Sequence, residues 1–191
     1  NGSGKTTLLN LISGKLKPAK GLIKTSENPV YCEQRSDLPH PLFSEFCDSH
    51  DSFSGKLKSQ LDISTDWEYR WETISFGERK KSWIATALWL QPEIFLLDEP
   101  TNHLDWNTKK QIILTLKQFT GIGLIISHDR ELLDTLCGKT ILLGQDKIYQ
   151  FKGNYTTSII EFNKLNCQIK KQNILLKKEK KKLHKETNKL K

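Results

Sequence analysis

The sequence predicts an α/β fold with a parallel-sheet core, a small helical insert and a C-terminal Lys-rich helix. Short apolar runs alternate with amphipathic stretches, as in folds whose helices cover a parallel sheet. Two of the runs, Ile94–Asp98 and Leu124–Ser127, are apolar at almost every position, which is typical of strands buried on both faces. A Gly-rich stretch also precedes the first predicted helix. The length of 191 residues suits one domain with an appendage.

The predicted elements begin with a helix that ends near Gly14 and continue as strands, an insert, and alternating helices and strands. The insert, at about residues 36–73, is poorly specified over residues 36–66, and its Trp67 and Trp71 are interpreted as packing residues. The other elements are strand-like runs at Leu22–Thr25 and Val30–Glu33, a helix at Glu78–Leu90, the strand Ile94–Asp98, a helix at Asn107–Phe119, the strand Leu124–Ser127, and a hairpin of Ile141–Leu143 with Ile148–Phe151.

The tail of the chain differs from the rest in charge and periodicity. Residues 164–191 contain 11 Lys and two Glu, a net charge of +9, so the first 163 residues carry about −1 of the total of +8. Apolar residues stand seven apart on one face of the predicted helix, a coiled-coil-like pattern with a narrow seam. The seam consists of Phe162, Ile169, Leu176, Leu183 and Leu190.

Composition restricts the class of protein. No run of about 18 apolar residues exists, so we expect no membrane span. The four cysteines form no C-x-x-C pair, which favours reduced thiols in the cytoplasm over a metal site or disulfides. The chain has no Met and begins inside a motif, so we expect a fragment of a longer protein.

The Gly-rich stretch at the start has the composition of a phosphate-binding loop. Gly4-Lys5-Thr6 matches the end of the pattern G-x-x-x-x-G-K-[ST], whose first Gly would lie two residues before Asn1. Glycines let backbone N–H groups close around phosphate oxygens at a helix N-terminus. We therefore expect Lys5 to reach the β- and γ-phosphates and the Thr6 hydroxyl to bind Mg²⁺. The alternative is a Gly-rich turn without a ligand.

Two further polar groups follow predicted buried strands, where ligands bind in open α/β sheets. Asp98 and Glu99 end the first strand, and carboxylates there are costly unless they are used. Asp98 suits the Mg²⁺ shell, and Glu99 can orient and deprotonate an attacking water. His128 follows the second strand and can hydrogen-bond a γ-phosphate, although a lone His is more often structural.

The order of these motifs resembles the ATP-binding cassette (ABC) superfamily of P-loop ATPases over nearly the whole chain. The matching segments are Lys5 and Thr6 for the Walker A motif, Gln34 in "YCEQ" for the Q-loop, Ser75-Phe76-Gly77-Glu78 for the signature, "IFLLDEP" for Walker B, Asp105 for the D-loop and His128 for the switch histidine. The resemblance implies ATP and Mg²⁺ as cofactors and hydrolysis of ATP as the activity.

Three segments look specifically like ABC-F proteins, which carry two cassettes in one chain and no transmembrane domains. They are "DEPTNHLD" (Asp98–Asp105), "LIISHDRELLD" (Leu124–Asp134) and "FKGNYTTSIIEFNK" (Phe151–Lys164). The resemblance implies a cassette over residues 1–156 and the start of an interdomain linker over residues 157–191. It implies a cytoplasmic protein that acts on the ribosome, either as a translation factor or in antibiotic-resistance ribosome protection.

The resemblance also implies a role for each matching residue. Residues expected to bind ATP are Asn1, Gly2, Ser3, Gly4, Lys5, Thr6 and Thr7. Catalytic roles are expected for Gln34, Glu99 and His128, and Mg²⁺ ligation for Thr6, Gln34 and Asp98. The signature residues expected to act on ATP held by a second cassette are Ser75, Gly77 and Glu78.

The lysines of the tail fit an anionic partner. Eleven lysines along one helix would bind a phosphate backbone through counterion release, and a solvated helix is the alternative. The ABC-F resemblance favours rRNA or tRNA as the partner. The candidate contacts are Lys170, Lys171, Lys177, Lys178, Lys181 and Lys182.

The signature departs from the family pattern L-S-G-G-Q or L-S-G-G-E, because Phe76 replaces a glycine. A bulky side chain there is expected to lower hydrolysis without abolishing ATP binding. The departure is the basis of one alternative, a non-hydrolysing regulatory cassette. Another alternative is the nucleotide-binding subunit of a membrane transporter, which predicts a membrane-coupling surface in residues 36–73 and leaves the Lys-rich helix unexplained.

Overall fold

The computed structural model describes the backbone of residues 4–25, 29–144 and 147–187. Asn1, Gly2 and Ser3 lie outside the described residues, as do the side chains of Lys177, Lys178, Lys181 and Lys182. The described α-helices are α1 (Lys5–Ile12), α2 (Phe43–Asp48), α3 (Ser52–Gln60), α4 (Phe76–Trp89), α5 (Trp106–Leu116), α6 (Arg130–Leu136) and α7 (Tyr155–Thr187). The described strands are β1 (Val30–Cys32), β2 (Ile94–Asp98), β3 (Ile122–Ile126), β4 (Lys139–Leu143) and β5 (Ile148–Lys152).

A parallel sheet of the order β1-β2-β3 forms the centre of the described structure. Leu96 lies opposite Tyr31 on one side and Leu124 on the other, so the three strands run level with one another. The parallel-sheet core predicted from the sequence is confirmed. Because the strands are level, the segments that follow them leave the sheet along the same edge.

The sheet is covered on both faces, as its apolar strands require. Tyr31 and Leu96 point to the side of α1 and pack with Leu9. Phe95 and Leu97 point to the opposite side and pack in the larger core with α4 and α5. Side chains alternate along a strand, so consecutive residues of β2 support α1 and α4 in turn.

The helical insert packs against α4 through buried apolar side chains. Phe43, Phe46, Leu57 and Leu61 are buried in the same core as α4, and Trp67 and Trp71 join them, as interpreted. The indole N–H of Trp71 donates to the Asp37 carbonyl at 2.8 Å. The small helical insert predicted from the sequence contains α2 and α3, and its scattered aromatic residues pack together with α4.

The prediction of a strand at Leu22–Thr25 was wrong. These residues have no regular structure, and the Leu22 side chain is 77% exposed. A strand needs a neighbour for its N–H and C=O groups, and no described strand pairs with this segment. Apolar composition alone therefore does not make the run a strand.

A hairpin and a long helix complete the described chain. β4 and β5 pair antiparallel, with Leu143 opposite Ile148, and the intervening Gln145 and Asp146 lie outside the described residues. The Phe162 ring of α7 packs edge-on against Tyr149 and Phe151. Further along α7 the seam is exposed at Ile169 and Leu176, while the side chains of Leu183 and Leu190 are not described. Its coiled-coil pairing stays a prediction.

None of the helices in the described ranges is both long and apolar enough to cross a membrane. The helix α7 has the length, with 33 residues, but its composition is dominated by polar and charged residues.

Candidate active site

The start of α1 and the ends of the three parallel strands surround one cavity of about 420 Å³. Ligands bind at this edge of open α/β sheets because the strand-to-helix turns present polar groups there. The structure brings together the candidates that the sequence predicted at four separate points of the chain. The lining residues are Gly4, Lys5, Thr6, Thr7, Gln34, Asp98, Glu99, Asn102, Ile126 and His128.

Gly4 lines the cavity at the N-terminus of α1. Its φ of 79° lies in the left-handed region, which residues with a side chain rarely adopt. As the N-cap residue of α1 it supplies no side-chain cap to the first turn, and no acidic residue lies in that turn. The positive end of the helix therefore faces the cavity, as in sites that bind phosphate.

Thr6 and Asp98 meet beside α1. The Thr6 hydroxyl donates to Oδ2 of Asp98 at 2.8 Å, although 92 residues separate them in sequence. The Tyr31 hydroxyl lies 3.4 Å from the same oxygen and donates to it. Burial raises the pKa of Tyr31, and the charge of Asp98 adds to the effect, so Tyr31 stays a donor at neutral pH. Asp98 itself is only 3% exposed.

These groups fit a Mg²⁺ ion that is shared with phosphates. Mg²⁺ prefers oxygen ligands and is usually held by one or two protein groups together with substrate phosphates and water. Thr6 and Asp98 supply a hydroxyl and a carboxylate at the cavity, and Gln34 supplies an amide oxygen. Within the described ranges no group of three or more His, Cys, Asp or Glu residues is placed to hold a metal ion.

Glu99 is held in a defined orientation directly after β2. Its φ of 48° is a left-handed value that costs on the order of 1–3 kcal/mol for a residue other than glycine. Its carboxylate accepts hydrogen bonds from the Ser127 hydroxyl at 3.3 Å and from the His128 backbone N–H at 3.2 Å. The His128 Nε2 lies 3.6 Å from the other carboxylate oxygen. Glu99 is largely buried, whereas the His128 side chain is 75% exposed to the cavity and solvent.

A second layer of polar residues behind His128 was missed by sequence reasoning. Asp129 caps α6 and also accepts a hydrogen bond from the Thr101 hydroxyl at 3.0 Å. Lys109 on α5 lies 2.9 Å from the same carboxylate. Burial acts to raise the pKa of Asp129, but hydrogen bonds, above all from Lys109, outweigh it and lower the pKa. Neither α6 nor its N-cap was predicted from the sequence, and the partners Thr101 and Lys109 lie in other parts of the chain.

The signature and D-loop residues lie outside the lining of this cavity. Ser75 and Glu78 form a capping box at the start of α4, in which each side chain bonds the other residue's backbone N–H. Asp105 caps α5 by accepting from the Thr108 N–H at 3.0 Å. Both groups therefore have local roles in starting helices, and Ser75 remains exposed.

The sequence matches the protein family described as "ABC transporter" over residues 1–102. It is 38% identical to the erythromycin resistance ATP-binding protein MsrA of Staphylococcus epidermidis, over 82% of this chain and 30% of that protein. It is 33% identical to the ribosome protection protein VmlR of Bacillus subtilis (strain 168), over 82% of this chain and 27% of that protein. The chain thus spans less than a third of the length of these relatives. Such relatives confirm the resemblance to ABC-F proteins.

A solved structure with a similar fold is the ATP-binding cassette MJ0796, a dimer in a post-hydrolysis state bound to ADP and Pi. The two share 20% sequence identity with a TM-score of 0.59, over 79% of this chain and 81% of that one. At this identity the similarity establishes the cassette fold.

Proposed function

This chain belongs to the ATP-binding cassette superfamily, and on that premise we propose that it is the ATP-hydrolysing cassette of a cytoplasmic ABC-F protein that acts on the ribosome. One observation carries the ATPase part: a helix N-terminus, a lysine, two carboxylates, a glutamine and a histidine converge on one cavity. Similarity to a ribosome protection protein and to an erythromycin resistance protein supports the ribosomal part, as a translation factor or in ribosome protection.

The phosphates of ATP would lie against the start of α1. The backbone N–H groups around Gly4 and the Lys5 ammonium neutralise them, and Lys5 reaches the β- and γ-phosphates. Thr6, Asp98 and Gln34 are the residues that would hold Mg²⁺. When bound, the ion would neutralise charge that develops on the β- and γ-phosphate oxygens.

Glu99 is the proposed general base. Its carboxylate accepts a proton from a water whose oxygen forms a bond to the γ-phosphorus, while the bond from that phosphorus to the β–γ bridging oxygen breaks. The products are ADP and phosphate. Ser127 and the His128 backbone hold the carboxylate in place, and the exposed imidazole of His128 is free to meet the γ-phosphate.

A second cassette completes the site in this proposal. On the family resemblance, Ser75, Gly77 and Glu78 are assigned to ATP that a second cassette holds, in a head-to-tail pair, and Asp105 is assigned to the D-loop. Their positions outside the lining of this cavity are compatible with that assignment. Residues 1–156 are assigned to the cassette and residues 157–191 to a linker. The linker contacts rRNA or tRNA through its lysines, of which Lys170 and Lys171 are exposed on α7.

The test of the ATPase proposal is steady-state hydrolysis by the full-length protein and its Glu99→Gln variant. Glu99→Gln keeps the shape of the side chain and removes the base, so we expect the rate to fall by about 10² or more while ATP binding is retained. Glu45→Gln is the matched control, because Glu45 is an exposed carboxylate on α2. Equal rates for Glu99→Gln and the wild type would refute the assignment of Glu99.

A further inference from the structure

Lys80 is a fully buried lysine that joins α4 to the segment after β1. Its side chain is 0% exposed. Its ammonium donates to the carbonyl of Glu33 at 2.7 Å and to the carbonyl of Gln34 at 3.0 Å, and the Cys32 sulfur lies 3.9 Å away. The contacts therefore cross from the helix that begins at the signature to three consecutive residues leading into the Q-loop.

The charge of Lys80 is compensated by backbone carbonyls and a cysteine sulfur. In the part of the chain that the structure describes, no carboxylate forms an ion pair with it. A buried ammonium is costly unless its protons are all bonded, and the two carbonyls and the thiol supply acceptors. The Phe76 ring covers the group from one side, with its centroid 5.6 Å from Nζ. An apolar side chain would fill the same space without the desolvation free energy of a buried ammonium. The hydrogen bonds to the two carbonyls are therefore the best explanation for a lysine at this position.

What Lys80 holds is the main chain of the Q-loop. Glu33 and Gln34 are otherwise exposed, and their segment has no regular structure after Cys32. Two carbonyls fixed to one ammonium determine the orientation of the peptide that carries Gln34. The Gln34 side chain lines the cavity with Asp98 and Glu99.

We propose that Lys80 is a positioning residue, which acts through Gln34 to hold the Q-loop in its place at the ATP and Mg²⁺ site. The proposal rests on the ATPase function proposed above. The adjacent Lys81 provides a matched comparison on the same helix. Lys81 is also buried, at 8% exposure, but its ammonium lies 3.4 Å from the Gln111 side chain and 5.8 Å from the Trp67 ring centre, away from the Q-loop.

The first test compares kcat and KM of the full-length Lys80→Met and Lys81→Met variants. Met keeps the length of the side chain and removes the ammonium. We expect Lys80→Met to lower kcat about tenfold or more with KM for ATP within about twofold of wild type, because small misplacements of catalytic groups are costly. We expect Lys81→Met to leave both unchanged. Unchanged kcat in Lys80→Met, or an equal loss in Lys81→Met, would overturn the proposal.

A double-substitution cycle separates positioning from general damage to the fold. If Lys80 acts through Gln34, Lys80→Met lowers kcat in the wild-type background and has little further effect in a Gln34→Ala background. The same proportional loss in both backgrounds would contradict the proposal. A wild-type protein without ATPase activity would instead refute the proposed function.

Hydrogen exchange tests the tether without reference to activity. Removing the ammonium frees the carbonyls of residues 33 and 34, so we expect faster amide exchange over residues 33–37 in Lys80→Met than in Lys81→Met. Equal exchange in the two variants would show that Lys80 does not order the Q-loop.

Discussion

Glu99, the proposed general base, adopts a left-handed backbone conformation that a residue with a side chain rarely takes. Its left-handed φ follows directly on the last residue of β2, and its N–H donates to the Ile126 carbonyl at 2.8 Å. That bond ties the strained turn to the end of β3. The carboxylate is then fixed by Ser127 and His128, which follow β3. The orientation of the proposed base therefore depends on the pairing of two strands.

Replacing Phe76 tests whether the bulky residue at a glycine position of the signature lowers the rate of ATP hydrolysis. Its half-buried ring begins α4 and covers the Lys80 ammonium. We expect Phe76→Gly to raise the ATPase rate of the full-length protein, because the smaller residue lets the opposite γ-phosphate approach the backbone. Phe76→Leu keeps the bulk and is expected to match the wild type. An unchanged rate in Phe76→Gly would show that the position tolerates bulk.

At the scale of elements, the site depends on where strands and helices end. The sequence was sufficient for β2 and, to within two residues at each end, for β3, because their apolar runs end in polar residues. The helix after the phosphate loop was predicted from the helical spacing of its apolar residues. The sequence failed at Leu22–Thr25, since a strand is defined by a partner that composition does not reveal. It did not predict how the insert packs, because the aromatic residues of the insert are far apart in sequence and meet in one core with α4.

Lys80 and Asp129 could not be assigned from the sequence for a similar reason. Lys80 stands between Arg79 and Lys81, where a charge is expected to face solvent, and only the fold places it under the Q-loop. Asp129 caps α6, a helix that was not predicted from the sequence, and Thr101 and Lys109 reach it from other elements. Long-range polar contacts leave no periodic signal in a single sequence.

The N-terminus of α6 carries the pH-dependent prediction. Asn caps a helix about as well as Asp, so Asp129→Asn removes mainly the charge that Lys109 pairs with. At pH 7 we expect a loss of stability on the order of 1 kcal/mol. The folded pKa of Asp129 is lowered, so its contribution is present above the unfolded value of about 3.9 and disappears as pH falls through the folded pKa.

Thermal or urea unfolding of the wild type and Asp129→Asn at pH 7 and at about pH 3 measures this effect. The difference in unfolding free energy between them should shrink at the lower pH. A difference that is the same at both values would mean that the carboxylate charge does not stabilise the site.

At the scale of the whole molecule, the basic tail is attached firmly to the cassette. Asp134, in the last turn of α6, accepts hydrogen bonds from both the N–H and the hydroxyl of Thr156 in the first turn of α7. Phe162 then packs on the hairpin. Because the N-cap residue of α6, Asp129, directly follows His128, one short helix connects the proposed γ-phosphate sensor to the helix that carries the lysines.

The charge of α7 predicts salt-sensitive binding to ribosomes. Lys170→Gln with Lys171→Gln should weaken co-sedimentation at low salt and reduce the salt slope of log K by about 0.7–0.9 for each phosphate that is no longer neutralised. Lys17→Gln with Lys20→Gln removes the same charge from exposed positions elsewhere and should have little effect. If both pairs weaken binding equally, net charge and not α7 is responsible. Co-sedimentation that resists high salt would argue against binding to a phosphate backbone.

As part of the proposed function, we propose that ATP closes the two cassettes on each other and that hydrolysis at this cavity reopens them and releases the protein from the ribosome, a population shift driven by the bound nucleotide. The most direct measurement is the dissociation rate of the full-length Glu99→Gln variant from ribosomes in the presence of ATP and Mg²⁺. We predict that the variant binds and stays bound in the ATP-bound closed state, with dissociation at least about tenfold slower than wild type. Dissociation as fast as that of the wild type would contradict the claim.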